Sequence, residues 1–146
     1  MIKCRNLDFF YDVVFVLDSN EKIRVNSAVL CARSDYFKAM FSSSYGFKES
    51  YFTHYFDDGQ EVRQLKRIVH LRGIPKIYLA AIIQYLYSDN FIIVDGSLMY
   101  YKTLMLYADY FMLPRLSEIC QLHITKFVKP KNCLELYLVA QAHNAE

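Results

Sequence analysis

The feature that most constrains this chain is the run Val29 to Phe41, VLCARSDYFKAMF, which holds two apolar helical patterns separated by three polar residues. Val29, Leu30 and Ala32 belong to the first pattern, and Tyr36, Phe37, Met40 and Phe41 to the second, with Arg33, Ser34 and Asp35 between them. Two short helices joined at a corner satisfy both patterns. Ser34 is placed to accept a hydrogen bond from the first free backbone N–H groups of the second helix. Asp35 adds negative charge at the positive end of that helix's dipole. The trio is a stop followed by a start, and the rest of the chain must supply a surface for both apolar stripes.

That surface begins before the corner. Tyr11 to Leu17 is aromatic and β-branched and reads as a strand ended by Asp18-Ser19-Asn20, residues that favour turns. Lys22 to Val25 alternates polar and apolar and completes a hairpin, after which Asn26 or Ser27 caps the first helix. From Ser42 to Gln64 the apolar rhythm breaks down, with a serine triplet, Gly46 and the turn signal Asp57-Asp58-Gly59, so a long loop is expected. Tyr45, Phe47, Tyr51, Phe52, Tyr55 and Phe56 lie in it, and so many aromatics imply that part of it packs down or meets a partner.

Lys66 to Leu71 returns to a β pattern, and Gly73-Ile74-Pro75 ends it, with Pro75 suited to the first turn of a helix. Lys76 to Ser88 is apolar on nearly every side, which places it in a core or between a core and a partner. Phe91 to Val94 reads as a short strand and Leu98 to Tyr110 as an apolar helix. Pro114 opens a further helix with Leu116, Ile119, Cys120, Ile124 and Phe127 on one stripe, ended by Pro130. Lys131 to Glu146 is helical in pattern, with Asn132 as its cap and Leu134, Tyr137, Leu138 and Ala140 on its apolar side. The expected fold is α+β: a small mixed sheet flanked by a cluster of five or six helices.

Composition limits what such a fold can do. The 17 basic and 15 acidic side chains are spread along the chain, so no patch is basic enough to displace counterions from nucleic acid. The apolar runs are broken by Lys76, Gln84, Lys102 and Asp109, short of the roughly 20 apolar residues a membrane span needs. The first residues lack the apolar stretch of a signal peptide, and the expected location is cytoplasmic or nuclear. The four cysteines, Cys4, Cys31, Cys120 and Cys133, form no C-x-x-C pair and are expected to be reduced, structural thiols, with Cys4 exposed.

No enzyme is signalled. A nucleophile elbow, a Gly-rich phosphate loop and H-E-x-x-H are all missing from the sequence, and no catalytic residue, cofactor or metal is expected. Cys120 and His123 stand one helical turn apart, but a helix-face pair of this kind is ordinary structure. A structural zinc site would need four ligands, and nothing supplies the other two.

The order and spacing of several segments carry a resemblance instead. The corner, read as V-L-x-x-x-S-x-Y-F-x-x-M-F, is similar to the signature of the BTB/POZ domain, and the likeness runs from Asp12-Val13-Val14-Phe15 through the corner to Tyr85–Asp89 and Ala108–Cys120. Within that family the chain looks closest to the BTB domains of ankyrin-repeat proteins or of the inhibitor of Bruton's tyrosine kinase. The resemblance implies residues 1–129 as the domain and 130–146 as the start of a helical extension that is cut short. It also implies a protein-interaction module, not an enzyme: a substrate adaptor of a cullin-3 RING ubiquitin ligase, with the substrate protein held by regions outside this chain. The alternative is an oligomerisation, scaffold or transcription-linked domain that never meets a cullin. In BTB adaptors a hydrophobic-x-Glu tripeptide at this point contacts the N-terminal domain of cullin-3, and Phe47-Lys48-Glu49 is similar to it, with Tyr45 beside it. For self-association the resemblance points to Asp12, but the positions of its usual basic partner read Asn26 and Ser27. Asp12 is then left to pair with Arg33 or to cap local backbone, and a weak homodimer or a monomer is expected.

Overall fold

The computed structural model describes residues 11–42, 50–57, 60–90, 93 and 95–142, and the side chains of these except in 50–65. The protein is α+β, and it divides into two compact units, residues 1–90 and 91–146.

In the first unit, β1 (Val13–Leu17) and β2 (Lys22–Val25) form the expected antiparallel hairpin. Its turn works because Asn20 takes the left-handed conformation, φ 61°, and its N–H donates to the Leu17 carbonyl at 2.9 Å, a geometry asparagine tolerates better than most residues. Helix α1 (Ser27–Arg33) follows, capped by the Asn26 side chain, which accepts from the N–H groups of Ala28 at 3.0 Å and Val29 at 3.4 Å. Ser34 then ends α1 in extended conformation, and its Oγ accepts from the Phe37 N–H at 3.3 Å to start α2 (Asp35–Ser42). The corner is built as its sequence requires.

The segment after the corner differs from expectation. Residues Ser50–Asp57 are a strand, β3, antiparallel to β4 (Gln60–Leu71), and the order across the sheet is β2-β1-β4-β3. The Asp57↔Gln60 pairing brackets the D-G turn signal. The long-loop reading weighed the broken apolar rhythm above the β-prone Tyr51, Phe52, Thr53, Tyr55 and Phe56. A strand can pair through its backbone without a clean alternation, and β3 is such a strand, with a register shift between His54 and Phe56. β4 runs parallel to β1, so the sheet is mixed.

β1 lies inside the sheet with both faces covered, which explains its unbroken apolar sequence. On one face Val14 joins Tyr11, Ile68 and Val16. On the other, the Phe15 ring meets Phe37 of α2 at 5.7 Å between centroids, and Phe37 stacks on Phe41 at 6.1 Å. Arg67 of β4 donates to the carbonyls of Met40 at 3.3 Å and Phe41 at 3.4 Å, filling acceptors that the end of α2 leaves without intrahelical partners. Gly73, φ 72°, turns the chain out of β4, and its N–H donates to Asp18 at 2.7 Å. Helix α3 (Lys76–Ser88) begins with Pro75 as its N-cap, one position before the expected first turn. The Tyr87 hydroxyl accepts from the Asn26 N–H at 2.7 Å and so ties α3 to the start of α1.

In the second unit α4 (Leu98–Tyr110) and α5 (Pro114–Thr125) match their expected bounds at the N-terminus, and Ser97 caps α4 by accepting from the Tyr100 N–H. Residues 91, 92 and 94 of the expected strand Phe91 to Val94 lie outside the described residues. Helix α6 (Cys133–Ala142) corrects two expectations. Asn132 does not cap it with its side chain. That side chain accepts from the Lys129 N–H at 2.7 Å and donates to the Phe127 carbonyl at 2.9 Å, tying the turn before the helix. The buried residue of α6 is Leu136, while Leu134, Tyr137 and Leu138 are 71%, 61% and 56% exposed. Apolar residues occur all round this helix, so periodicity could not say which face turns inward.

Replacing Phe37 by alanine removes the side chain that joins the corner to the sheet. The expected loss is about 3–5 kcal/mol, the range for a fully buried aromatic, read as a lower midpoint in urea unfolding at unchanged slope.

Candidate protein-interaction surface

Of the residues the resemblance assigns to a partner, Tyr45, Phe47, Lys48 and Glu49 lie outside the described residues. What the structure does describe is their anchor. Helix α2 ends at Ser42, and its last turn is held to β4 by Arg67, whose guanidinium also lies over the Phe41 ring at 5.1 Å. The sequence reading missed Arg67. A basic residue in a strand gives no local sign that it will fold over a helix end far along the chain.

The two residues assigned to self-association are not paired with each other. Arg33 forms a two-pronged ion pair with Asp89, the left-handed residue that ends α3, and lies 5.8 Å from the Tyr85 ring centre. Asp89 draws it because residues of α1 and α3 come side by side, a neighbour that local sequence could not reveal. Asp12 instead accepts from both the N–H of Ser27, at 2.7 Å, and its hydroxyl. Its carboxylate thus serves the start of α1, the local-backbone alternative of the sequence reading, and Ser27 occupies the position where a basic partner would stand.

A third feature was not anticipated. Lys66 is buried, its ammonium donating to the Tyr11 carbonyl and lying 4.4 Å from the Tyr11 ring centre. The carbonyl and the ring face supply the negative partners that a buried cation requires.

The cysteine chemistry is that of a packed core. Burial pushes the Cys120 thiol up to about 12, with Asp109 adding a smaller push, so its nucleophilic form is scarce at neutral pH. The His123 ring stacks on Tyr101 at 4.6 Å, nearly parallel, and burial, then the nearby Lys126, holds its pKa below the usual imidazole value. Cys31 is half-buried, donates to the Phe37 carbonyl at 3.7 Å, and is raised chiefly by burial. Among the described residues no three His, Cys, Asp or Glu side chains converge as metal ligands, and no helix is long and apolar enough to cross a membrane. Alkylation of the native protein at neutral pH should modify the exposed Cys133 first, Cys31 slowly, and Cys120 only after denaturant. Peptide mapping by mass spectrometry reads that order, and native Cys120 reacting as fast as Cys133 would contradict it.

A sheet with a helical corner, ion-paired to the next helix, and a second, helical unit can be matched to known proteins. The BTB/POZ domain family model matches residues 1–127. The inhibitor of Bruton tyrosine kinase of Xenopus laevis is 28% identical over 138 residues, which cover 93% of this chain and 9% of that protein. Human Kelch repeat and BTB domain-containing protein 2 is 28% identical over 138 residues, 94% of this chain and 19% of that protein. The chain therefore spans less than a fifth of the length of these curated relatives. Among solved structures, the BTB domain of zebrafish PATZ1 aligns with TM-score 0.57 and 21% identity over 80% of this chain and 76% of that one. The BTB domain of human gigaxonin aligns with TM-score 0.52 and 20% identity over 83% and 80%. These two likenesses speak for the fold, and the family match, spanning all but the last residues, carries the conclusion: this chain belongs to the BTB/POZ domain family.

Proposed function

We propose that this chain is the scaffold-binding part of a substrate adaptor in a cullin-3 ubiquitin ligase, acting in the cytoplasm or nucleus. It recruits proteins and does no covalent chemistry. In this reading residues 1–129 form the interaction domain, 130–146 begin a helical extension, and substrate is held by parts of a longer protein.

The observation that carries the reading is the position of Phe47-Lys48-Glu49 just beyond the end of α2. Arg67 fixes that end to β4, so the tripeptide leaves a rigid platform. An aromatic anchor there can fill an apolar pocket on the cullin, and a carboxylate two residues on can orient it. Removing such an anchor typically costs about 2 kcal/mol or more, so Phe47→Ala should weaken binding of the cullin-3 N-terminal domain roughly thirtyfold or more, with little change in melting temperature. Glu49→Ala should cost less, because a rim carboxylate stays partly hydrated. Titration calorimetry with parallel melts checks both. Failure of the wild type to bind would remove the adaptor reading, whereas unchanged binding by Phe47→Ala would remove only the site.

Self-association is the second reading, and the engagement of Asp12 by Ser27 bears on it. A carboxylate already accepting two local hydrogen bonds has less to offer a second copy. The expected state is a monomer or a weak dimer, and light scattering across a dilution series would contradict this if a dimer mass persisted to nanomolar protein.

A further inference from the structure

The second unit contains a groove that the cullin reading does not use. It is a cavity of about 250 Å³ between α4, α5 and α6, walled chiefly by Met105, Ile124, Val128, Leu136, Tyr137 and Ala140. Apolar surface continues out of it along α6 through the exposed Leu134 and Leu138. The volume suits one or two apolar side chains, and Met105 gives the floor a thioether that can adapt to their shape.

The rim gives the groove a sign. The connection from α5 to α6 carries Lys126, Lys129 and Lys131, all exposed, around Val128 in the groove wall and just before Cys133, which also lines it. Among the described residues none of these three ammonium groups is in an ion pair, in contrast to Lys102, which is held by Glu135 at 2.6 Å. Lys126 is well placed for the negative end of α5, where a cation is favourable. Lys129 and Lys131 lie beyond that end and approach the positive end of α6, where cations are unfavourable. An apolar slot with an unneutralised basic rim matches a ligand that is apolar on one side and acidic at its edge.

We infer that the α4–α5–α6 groove docks an acidic amphipathic helix of a partner protein, its apolar side chains entering the cavity and its carboxylates meeting Lys126, Lys129 and Lys131. Helix-in-groove recognition supplies both parts, anchors at helical spacing and a charged flank that sets orientation. This docking does not depend on the tripeptide after α2 and stands or falls separately from cullin binding.

The test uses the whole chain and a synthetic, fluorescently labelled helical peptide with leucines at i, i+3, i+4 and i+7 and glutamates elsewhere. Anisotropy should show saturable binding that weakens as salt is raised, and bound peptide should slow iodoacetamide modification of Cys133. The triple variant Lys126→Glu, Lys129→Glu, Lys131→Glu should weaken binding about tenfold, as expected for several exposed charge pairs lost together. Val128→Asp, at a half-exposed position where folding tolerates the change, should abolish it. Thermal melts of both variants confirm that they fold. The inference is overturned if the peptide does not bind, if a scrambled peptide of equal composition binds as well, or if the triple variant binds like wild type. It is also overturned if light scattering shows a dimer that Val128→Asp converts to monomer while the peptide stays unbound, which would assign the groove to a second copy of the chain.

Discussion

The first unit depends on the burial of one ring. Phe37 has no exposed surface and lies between Phe15 of the sheet and Phe41 one turn along its own helix. Neither short helix of the corner would persist alone, because helices of seven or eight residues have too few hydrogen bonds to offset the cost of nucleation. Packing of Phe37 against β1 makes the corner a fixed element, and the same contact covers one face of β1. The hydrogen bond of Ser34 to the Phe37 N–H and of Cys31 to the Phe37 carbonyl then set the angle at which the ring arrives.

Around that ring, polar groups do the joining. Arg67 ties the end of α2 to β4, Arg33 ties α1 to Asp89 at the end of α3, and Tyr87 ties α3 to the start of α1. Each uses a backbone group or a helix end that would otherwise lack a partner. The contribution of the Arg33–Asp89 pair to stability is modest because both side chains are substantially hydrated. Its effect is to orient. The outcome is a rigid end to α2, the point from which the proposed partner-binding tripeptide departs.

The second unit is built differently. Leu104, Leu116 and Cys120 are fully buried on α4 and α5, whereas α6 buries Leu136 alone and leaves a row of large apolar side chains outside. That asymmetry, with the unneutralised lysines of the preceding turn, is the reason to regard α6 as half of a docking surface.

Local sequence determined the corner, the first hairpin and helices α3 to α5. Their signals are short-range: Asn26 and Ser34 as caps, Asn20 in a left-handed turn, Pro114 at a helix start, and apolar residues at helical spacing. The same short-range logic read Phe47-Lys48-Glu49 as an anchor and a carboxylate, and the family match supports the domain in which that tripeptide sits. Tertiary structure decided the rest. Strand β3 exists because β4 offers it a backbone edge, which the sequence of β3 does not announce. Arg33 meets Asp89 and Asp12 meets Ser27 because the fold chooses among carboxylates that sequence leaves equivalent. The inward face of α6 was likewise open, since a helix apolar on every side carries no phase, and only the arrangement of α4 and α5 beside it selected Leu136.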